Sequence, residues 1–256
     1  MTPDNKDLER EIKKYSNVAK SEFLEMQKTE SFNIGYEKVP HIHKKPFQDY
    51  YDAIAKTVRP GTKVLELGAG TGTHSFIVFE LGGDLTAVDI SRESLDLLSV
   101  KFQGKAKTIC ADMASLPLPD NSFDVIISCG SLSYGDPRLV FAEVYRLLKP
   151  EGSIVFLDTL NHNWIYSLNR FRHYIQGKRT LSTLRRMPRM ATINRYIKTF
   201  AFSSVSYYGK ILWLHRPLGL FLKSNQLEKL ERKTDESRFF SRSAFKFLLV
   251  CNWLKK

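Results

Sequence analysis

Val64-Leu65-Glu66-Leu67-Gly68-Ala69-Gly70-Thr71-Gly72 is the stretch on which the reading of this chain turns. A short apolar run meets a glycine-rich turn, which predicts a buried strand over 63–67 and a helix from about residue 73. Glycine lets the backbone turn sharply there and leaves it bare to a ligand. The spacing is GxGxG, one residue short of the GxGxxG that seats a dinucleotide pyrophosphate at a helix N-terminus. Glu66, at the strand's carboxyl end, would repel a pyrophosphate and suits a ligand carrying cationic groups. A glycine turn without any ligand has the same local pattern, so the strands that follow have to decide.

Downstream the chain alternates. Strands are expected over 84–88, 106–110, 123–128 and 153–157, with helices over 92–102, capped by Ser91, and from Pro137 through 148. Residues 149–152, Lys-Pro-Glu-Gly, read as a turn. Several strands are apolar throughout, the mark of a parallel sheet covered on both faces. Upstream, a helix is expected over 6–27, an irregular stretch over 31–45, and a second helix beginning at Pro46. Beyond the core, 164–175 reads as helix, 200–214 as strand, 227–233 as helix and 244–253 as a final strand. The expected organisation is an N-terminal helix and lid segment (1–46), a core (47–160), a basic substrate-side region (161–243) and the last strand (244–256).

In a doubly wound α/β sheet, ligands bind outside the carboxyl ends of the strands. Asp89 ends the second strand, with Ile90 after it, and a carboxylate there can accept from both hydroxyls of a ribose. Asp112 and Met113 end the third, where an acid can accept from an adenine amino group and a flexible thioether can cover the ring. Ser128, Cys129 and Gly130 end the fourth. Together with Glu66, Gly68, Ala69, Gly70, Thr71 and Gly72, this set suits S-adenosylmethionine, whose sulfonium and ammonium are cationic. Each acid alone could be a cap or turn residue; four consecutive strand ends with fitting chemistry are a joint signal.

The segments VLELGAGTG (64–72), LTAVDIS (85–91), ADMASLPLPDNSFDVIIS (111–128) and EVYRLLKPEGSIVFLD (143–158) resemble class I S-adenosylmethionine-dependent methyltransferases with a type 11 domain. The resemblance spans about residues 47–160. It implies a Rossmann-like, seven-stranded, mostly parallel sheet in order 3-2-1-4-5-7-6 with the last strand antiparallel. It also implies that Gly68, Gly70 and Gly72 approach the cofactor, Asp89 holds ribose, and Asp112 with Met113 flanks adenine. The Asn-Pro-Pro-Tyr signature of enzymes that methylate base or amide nitrogen is absent after strand four, where Ser128-Cys129-Gly130-Ser131 stands instead. Asn161-His162-Asn163-Trp164-Ile165-Tyr166 and Asn169-Arg170-Phe171 resemble methyltransferases of bacterial polysaccharide and surface-glycan gene clusters.

Charge is segregated. Between residues 159 and 227 there is no Asp or Glu, while Arg170, Arg172, Lys178, Arg179, Arg185, Arg186, Arg189, Arg195, Lys198, Lys210, Arg216 and Lys223 fall there. The other 27 of the 39 Lys and Arg match the 27 Asp and Glu, so this region carries the whole net charge of +12. An anionic partner is implied: a phosphorylated small molecule, a glycan or lipid-linked glycan intermediate, or an anionic membrane surface. RNA is the alternative, because Arg interleaved with Tyr, Phe and Trp also suits phosphates and stacked bases. A non-catalytic cofactor-binding or membrane-surface module is a third reading.

Cys110, Cys129 and Cys251 are far apart and form no CxxC, so no disulfide framework and no metal site is indicated. The polar N-terminus lacks a signal-peptide core, and a cytoplasmic location is expected. For methyl transfer to a hydroxyl the base candidates are His162, four residues past Asp158, then His41 or His43 in the lid segment. Tyr134 is a candidate for positioning the acceptor, His74 is read as structural within the helix after the glycines, and Asp136 as a helix cap. A mechanism without a base is a further alternative.

Overall fold

The computed structural model describes residues 3–29, 41–237, 239 and 241–254. In chain order these form α1 (Pro3–Thr29), α2 (His41–Thr57), β1 (Lys63–Leu67), α3 (Phe76–Glu80), β2 (Asp84–Asp89), α4 (Arg92–Lys101), β3 (Lys107–Cys110) and β4 (Phe123–Cys129). Next come α5 (Pro137–Leu147), β5 (Leu148–Thr159), α6 (Trp164–Ile175), α7 (Leu181–Arg186), α8 (Met190–Tyr196) and β6 (Phe200–Tyr208). The chain continues with α9 (His215–Leu218), α10 (Ser224–Glu236) and β7 (Lys246–Leu254).

Seven strands form one sheet in the order β3-β2-β1-β4-β5-β7-β6. The first five are mutually parallel, and β7 runs antiparallel to both β5 and β6. Alternation along each strand feeds two cores. Leu65, Leu67, Ile126 and Phe156 face the layer that holds α5 and α8. Val64, Val125, Ile127 and Val155 face Tyr50 and Ile54 of α2, Val78 of α3 and Leu95 and Leu98 of α4. Strands buried on both faces are apolar at both parities, as the sequence shows. Strand order reverses at β1, between β2 and β4, which puts the ligand-binding crevice at their carboxyl ends.

Some boundaries differ from the sequence reading. The second helix starts at His41, so Pro46 lies inside it, buried, at the cost of one backbone bond. After the glycines, residues 73–75 form turns and the helix begins only at Phe76, leaving His74 on the turn. Residues 149–152 are the start of β5 and not a separate turn: Leu148 pairs with Phe123, and a register shift before Val125 absorbs the extra residues. β6 ends at Tyr208, earlier than expected, because Gly209 takes a left-handed conformation and Leu212–Leu214 form a short 3-10 turn. The final helix is longer than expected, Ser224–Glu236.

Candidate active site

The carboxyl ends of β1, β2, β3 and β4 converge on a cavity of about 130 Å³, closed over by α1. Its lining holds Gly68, Gly70, Asp89, Ile90, Asp112, Met113, Cys129, Gly130, Ser131 and Tyr134, with Leu8 and Tyr15 contributed by α1. Gly68 has φ +67°, and a Cβ there would lie 2.3 Å from that of Ser131, so only glycine lets the two loops meet. Gly70 and Gly130 also have positive φ, at +54° and +70°, and a Cβ on either would meet open space. Their bare backbones therefore face room for a ligand.

Asp89 organises the turn as well as facing the cavity. Its Oδ2 accepts from the Gly70 N–H and its Oδ1 from the Ser91 N–H, both at 2.9 Å. Each carboxylate oxygen has further lone-pair capacity, which two neighbouring hydroxyls can fill. Burial raises the Asp89 pKa, opposed by these backbone donors. Asp112 is exposed, with Oδ1 accepting from the Ala114 N–H, and Met113 is buried beside it. On the far side, the Ser131 hydroxyl donates to the Leu67 carbonyl (2.8 Å) and bonds Ser128 Oγ (2.6 Å). The Leu132 N–H donates to Asp158 Oδ2 (2.8 Å), so the acid ending β5 fixes the loop that carries Tyr134.

Other residues singled out in the sequence lie behind this lining. Glu66 is buried on the Val64 face of β1, where its Oε2 accepts from the Ser75 hydroxyl at 2.5 Å. Burial lifts its pKa to about 7, against the lowering effect of Ser75. Gly72 packs toward Leu98 and Phe102, where a Cβ would clash. Ala69 belongs to the α2-side core, and Thr71 is buried beside Thr73. His74 stacks on Phe47 and bonds the Tyr51 hydroxyl, and burial lowers its pKa to about 4, consistent with a structural, neutral imidazole. Asp136 caps α5 by accepting from the Arg138 N–H.

The structure does not bring His162 to the cavity. His162 is exposed and outside its lining. The side chains of His41 and His43 lie outside the described residues. Tyr134 is the candidate that does line it, and its hydroxyl accepts from Tyr15 of α1. Desolvation pushes the Tyr15 pKa up, so that phenol remains protonated and donating. Sequence reasoning did not single out Leu8 and Tyr15, since nothing local tells which face of a distant helix will cover a cleft, nor Ser131, one residue past the strand end it named.

A second cavity, of about 650 Å³, adjoins the first through the 134–138 loop. Arg10, Arg138, Arg185, Arg186 and Arg195 line it, against Asp7 and Asp136. Asp7 accepts from the Ser182 hydroxyl at 2.7 Å, and the Arg186 guanidinium donates to the Tyr134 carbonyl at 3.2 Å. Arg10, Arg185 and Arg195 form no ion pair or hydrogen bond among the described residues. Arg170, by contrast, is buried. It donates to the Leu160 carbonyl and Asn161 Oδ1, both at 3.0 Å, which removes it from the acceptor contacts that a position in the basic stretch suggests.

A family profile described as a methyltransferase domain matches residues 65–156. A demethylmenaquinone methyltransferase of Renibacterium salmoninarum is 37% identical over 102 residues, covering 39% of this chain and 42% of that one. This chain thus spans less than half of that relative's length. The demethylmenaquinone methyltransferase of Listeria monocytogenes serovar 1/2a is 32% identical over 174 residues, 59% of this chain and 73% of the relative. In fold, the chain is similar to a geranyl diphosphate C-methyltransferase of Streptomyces coelicolor, solved with S-adenosylhomocysteine (TM-score 0.58, 12% identity, 82% and 79% of the two chains). Motifs, strand order and relatives agree: the chain belongs to the class I S-adenosylmethionine-dependent methyltransferase family.

Proposed function

We propose that this protein binds S-adenosylmethionine in the cavity at the ends of β1–β4 and transfers its methyl group to an anionic acceptor. The observation that carries the reading is the juxtaposition of that cavity with the arginine-lined one across a single loop. Gly68, Gly70 and Gly130 give the cofactor its backbone approach, Asp89 takes the ribose hydroxyls, and Asp112 with Met113 borders the adenine. The chemistry supplied by S-adenosylmethionine when bound is an activated methyl group. Transfer is an in-line displacement in which the acceptor hydroxyl's proton is released to solvent, so the protein's task is proximity and orientation. Tyr134, held by Tyr15, has one further hydrogen bond with which to orient an acceptor hydroxyl. The arginines neutralise and align a phosphate or carboxylate on the same molecule. O-methylation of a small anionic molecule or of a glycan or lipid-linked glycan intermediate fits this layout. The basic region's excess charge also suits contact with an anionic membrane.

The test joins binding to turnover. Label from methyl-labelled S-adenosylmethionine should enter a soluble anionic or lipid-extractable fraction of a cell extract, and not RNA. Asp89→Ala should weaken cofactor binding roughly tenfold to a hundredfold by calorimetry, the loss of hydrogen bonds to a charged group. His162→Ala, outside the cavity lining, should leave turnover within about threefold. Unchanged affinity in a folded Asp89→Ala protein, or label recovered in RNA, would count against the reading.

A further inference from the structure

α6 is a helix turned inside out. At 100° per residue, Trp164, Leu168, Phe171 and Ile175 fall within roughly a 60° arc. That arc faces solvent: the four side chains are 73%, 62%, 50% and 69% exposed. The opposite face carries Tyr166 and Arg170, which are buried, Arg170 at 5%. The Tyr166 hydroxyl donates to the Gly209 carbonyl, and the Arg170 guanidinium stacks near Tyr166 and Phe245. The rest of the protein therefore fixes α6 by its polar side and presents its apolar side outward.

A contiguous exposed stripe of one tryptophan, one phenylalanine and two aliphatic side chains needs a partner. Two features choose among partners. The stripe is bordered by Arg172 on the helix and by Lys178 and Arg179 just beyond it. It also lies within the stretch from 159 to 227 that holds no acid at all. A second copy of this chain would bring two such basic faces together. An anionic bilayer instead offers hydrocarbon to the stripe and phosphate charge to its rim, with tryptophan at the headgroup level. No helix among the described residues is long and apolar enough to cross a membrane, so the contact is lateral.

We propose that the outward face of α6 is a docking surface for anionic lipid bilayers, with α6 lying in the plane of the interface. This names the surface behind the membrane contact suggested above. Vesicle binding reads out without turnover, so it stands or falls separately from methyl transfer.

The experiment is co-sedimentation of the full chain with vesicles of phosphatidylcholine alone or with 30% phosphatidylglycerol, at low and high salt. The expected result is binding to the anionic vesicles at least tenfold stronger than to the neutral ones, weakened about tenfold by 0.5 M salt. A blue shift of tryptophan emission should accompany it and be lost in Trp164→Phe. The variant Trp164→Ser/Leu168→Ser/Phe171→Ser/Ile175→Ser should lose at least tenfold in vesicle binding. Its cofactor affinity and circular dichroism should match wild type, because these side chains are exposed. Three outcomes would overturn the proposal: no retention of wild type on anionic vesicles, equal retention of the variant, or a vesicle-free dimer in analytical ultracentrifugation that the variant dissociates.

Discussion

At position 66 a carboxyl group is walled off from water and met by a single hydroxyl, and burial lifts its pKa to about 7. An acid raised in this way binds more protons folded than unfolded between its two pKa values. Stability is therefore lost as pH rises from about 4.5 to about 7. Glu66→Gln keeps an acceptor for Ser75 and removes that cost. Its gain over wild type should be near zero at pH 4 and about 3 kcal/mol at pH 8, read from denaturant unfolding. A gain independent of pH would mean that Glu66 is not the titrating group. Legibility at this scale followed the backbone. The glycines, Asp89 and Met113 stand at strand ends, which sequence order predicts, and all of Gly68, Gly70, Asp89 and Met113 line the cavity. Glu66 has the same parity as Val64, and nothing local says which face of β1 will meet the crevice; it points to the α2 side.

Among the elements, α1 is the one whose position sets access. It bridges the crevice from α4 to α7. Ser16 donates to Glu93 (2.7 Å), Lys101 pairs with Glu22, Thr180 and Thr183 donate to Glu11 (both 3.2 Å), and Asp7 accepts from Ser182. The cavity beneath it, about 130 Å³, is smaller than the roughly 300–1,000 Å³ of typical ligand pockets. We therefore predict that α1 moves outward for the cofactor to enter and leave. Removing two of its anchors with Asp7→Ala/Glu11→Ala takes away these three hydrogen bonds to the α7 end and should speed cofactor dissociation by roughly tenfold to a hundredfold in stopped-flow displacement, at up to about 1 kcal/mol per lost bond. The equilibrium affinity should change less, since entry is speeded too. Unaltered rates would place the gate elsewhere. The helical spacing of α1 and a lid role for the N-terminal segment were expected from the sequence; which of its side chains meet the crevice was not, because its partners lie far along the chain. α6 was legible as a helix and illegible in orientation, since periodicity alone would bury Trp164, Leu168, Phe171 and Ile175.

For the whole molecule the governing quantity is the uneven charge, all of the net +12 lying in one acid-free region. Its bases are not equivalent. Arg170 and Lys210 are buried and bonded to backbone carbonyls, while Arg185 and Arg195 stand at the arginine-lined cavity. A compact acceptor with one or two phosphates would meet only that second group. Raising salt from 50 to 200 mM should then raise the acceptor KM by about three- to tenfold. An RNA held by six to ten phosphate contacts would lose roughly 10³–10⁵ in affinity over the same range. Steady-state kinetics at four salt concentrations distinguishes the two slopes. Fold class was readable at this scale because alternating strands and helices with apolar strands admit few topologies.

The anchoring of α1 also carries a temporal order. Asp7 bonds Ser182 across 175 positions of chain, and Glu11 bonds Thr180 across 169. The contacts of α1 with α4 are closer in sequence, Ser16 to Glu93 across 77 positions. Long loops are costly to close before other contacts form, which predicts that the α7 end of the α1 clasp closes late in folding. If the clasp closes last, pulsed hydrogen exchange during refolding should protect the amides of β1–β4 before those of α1, and equal protection of both would remove that order.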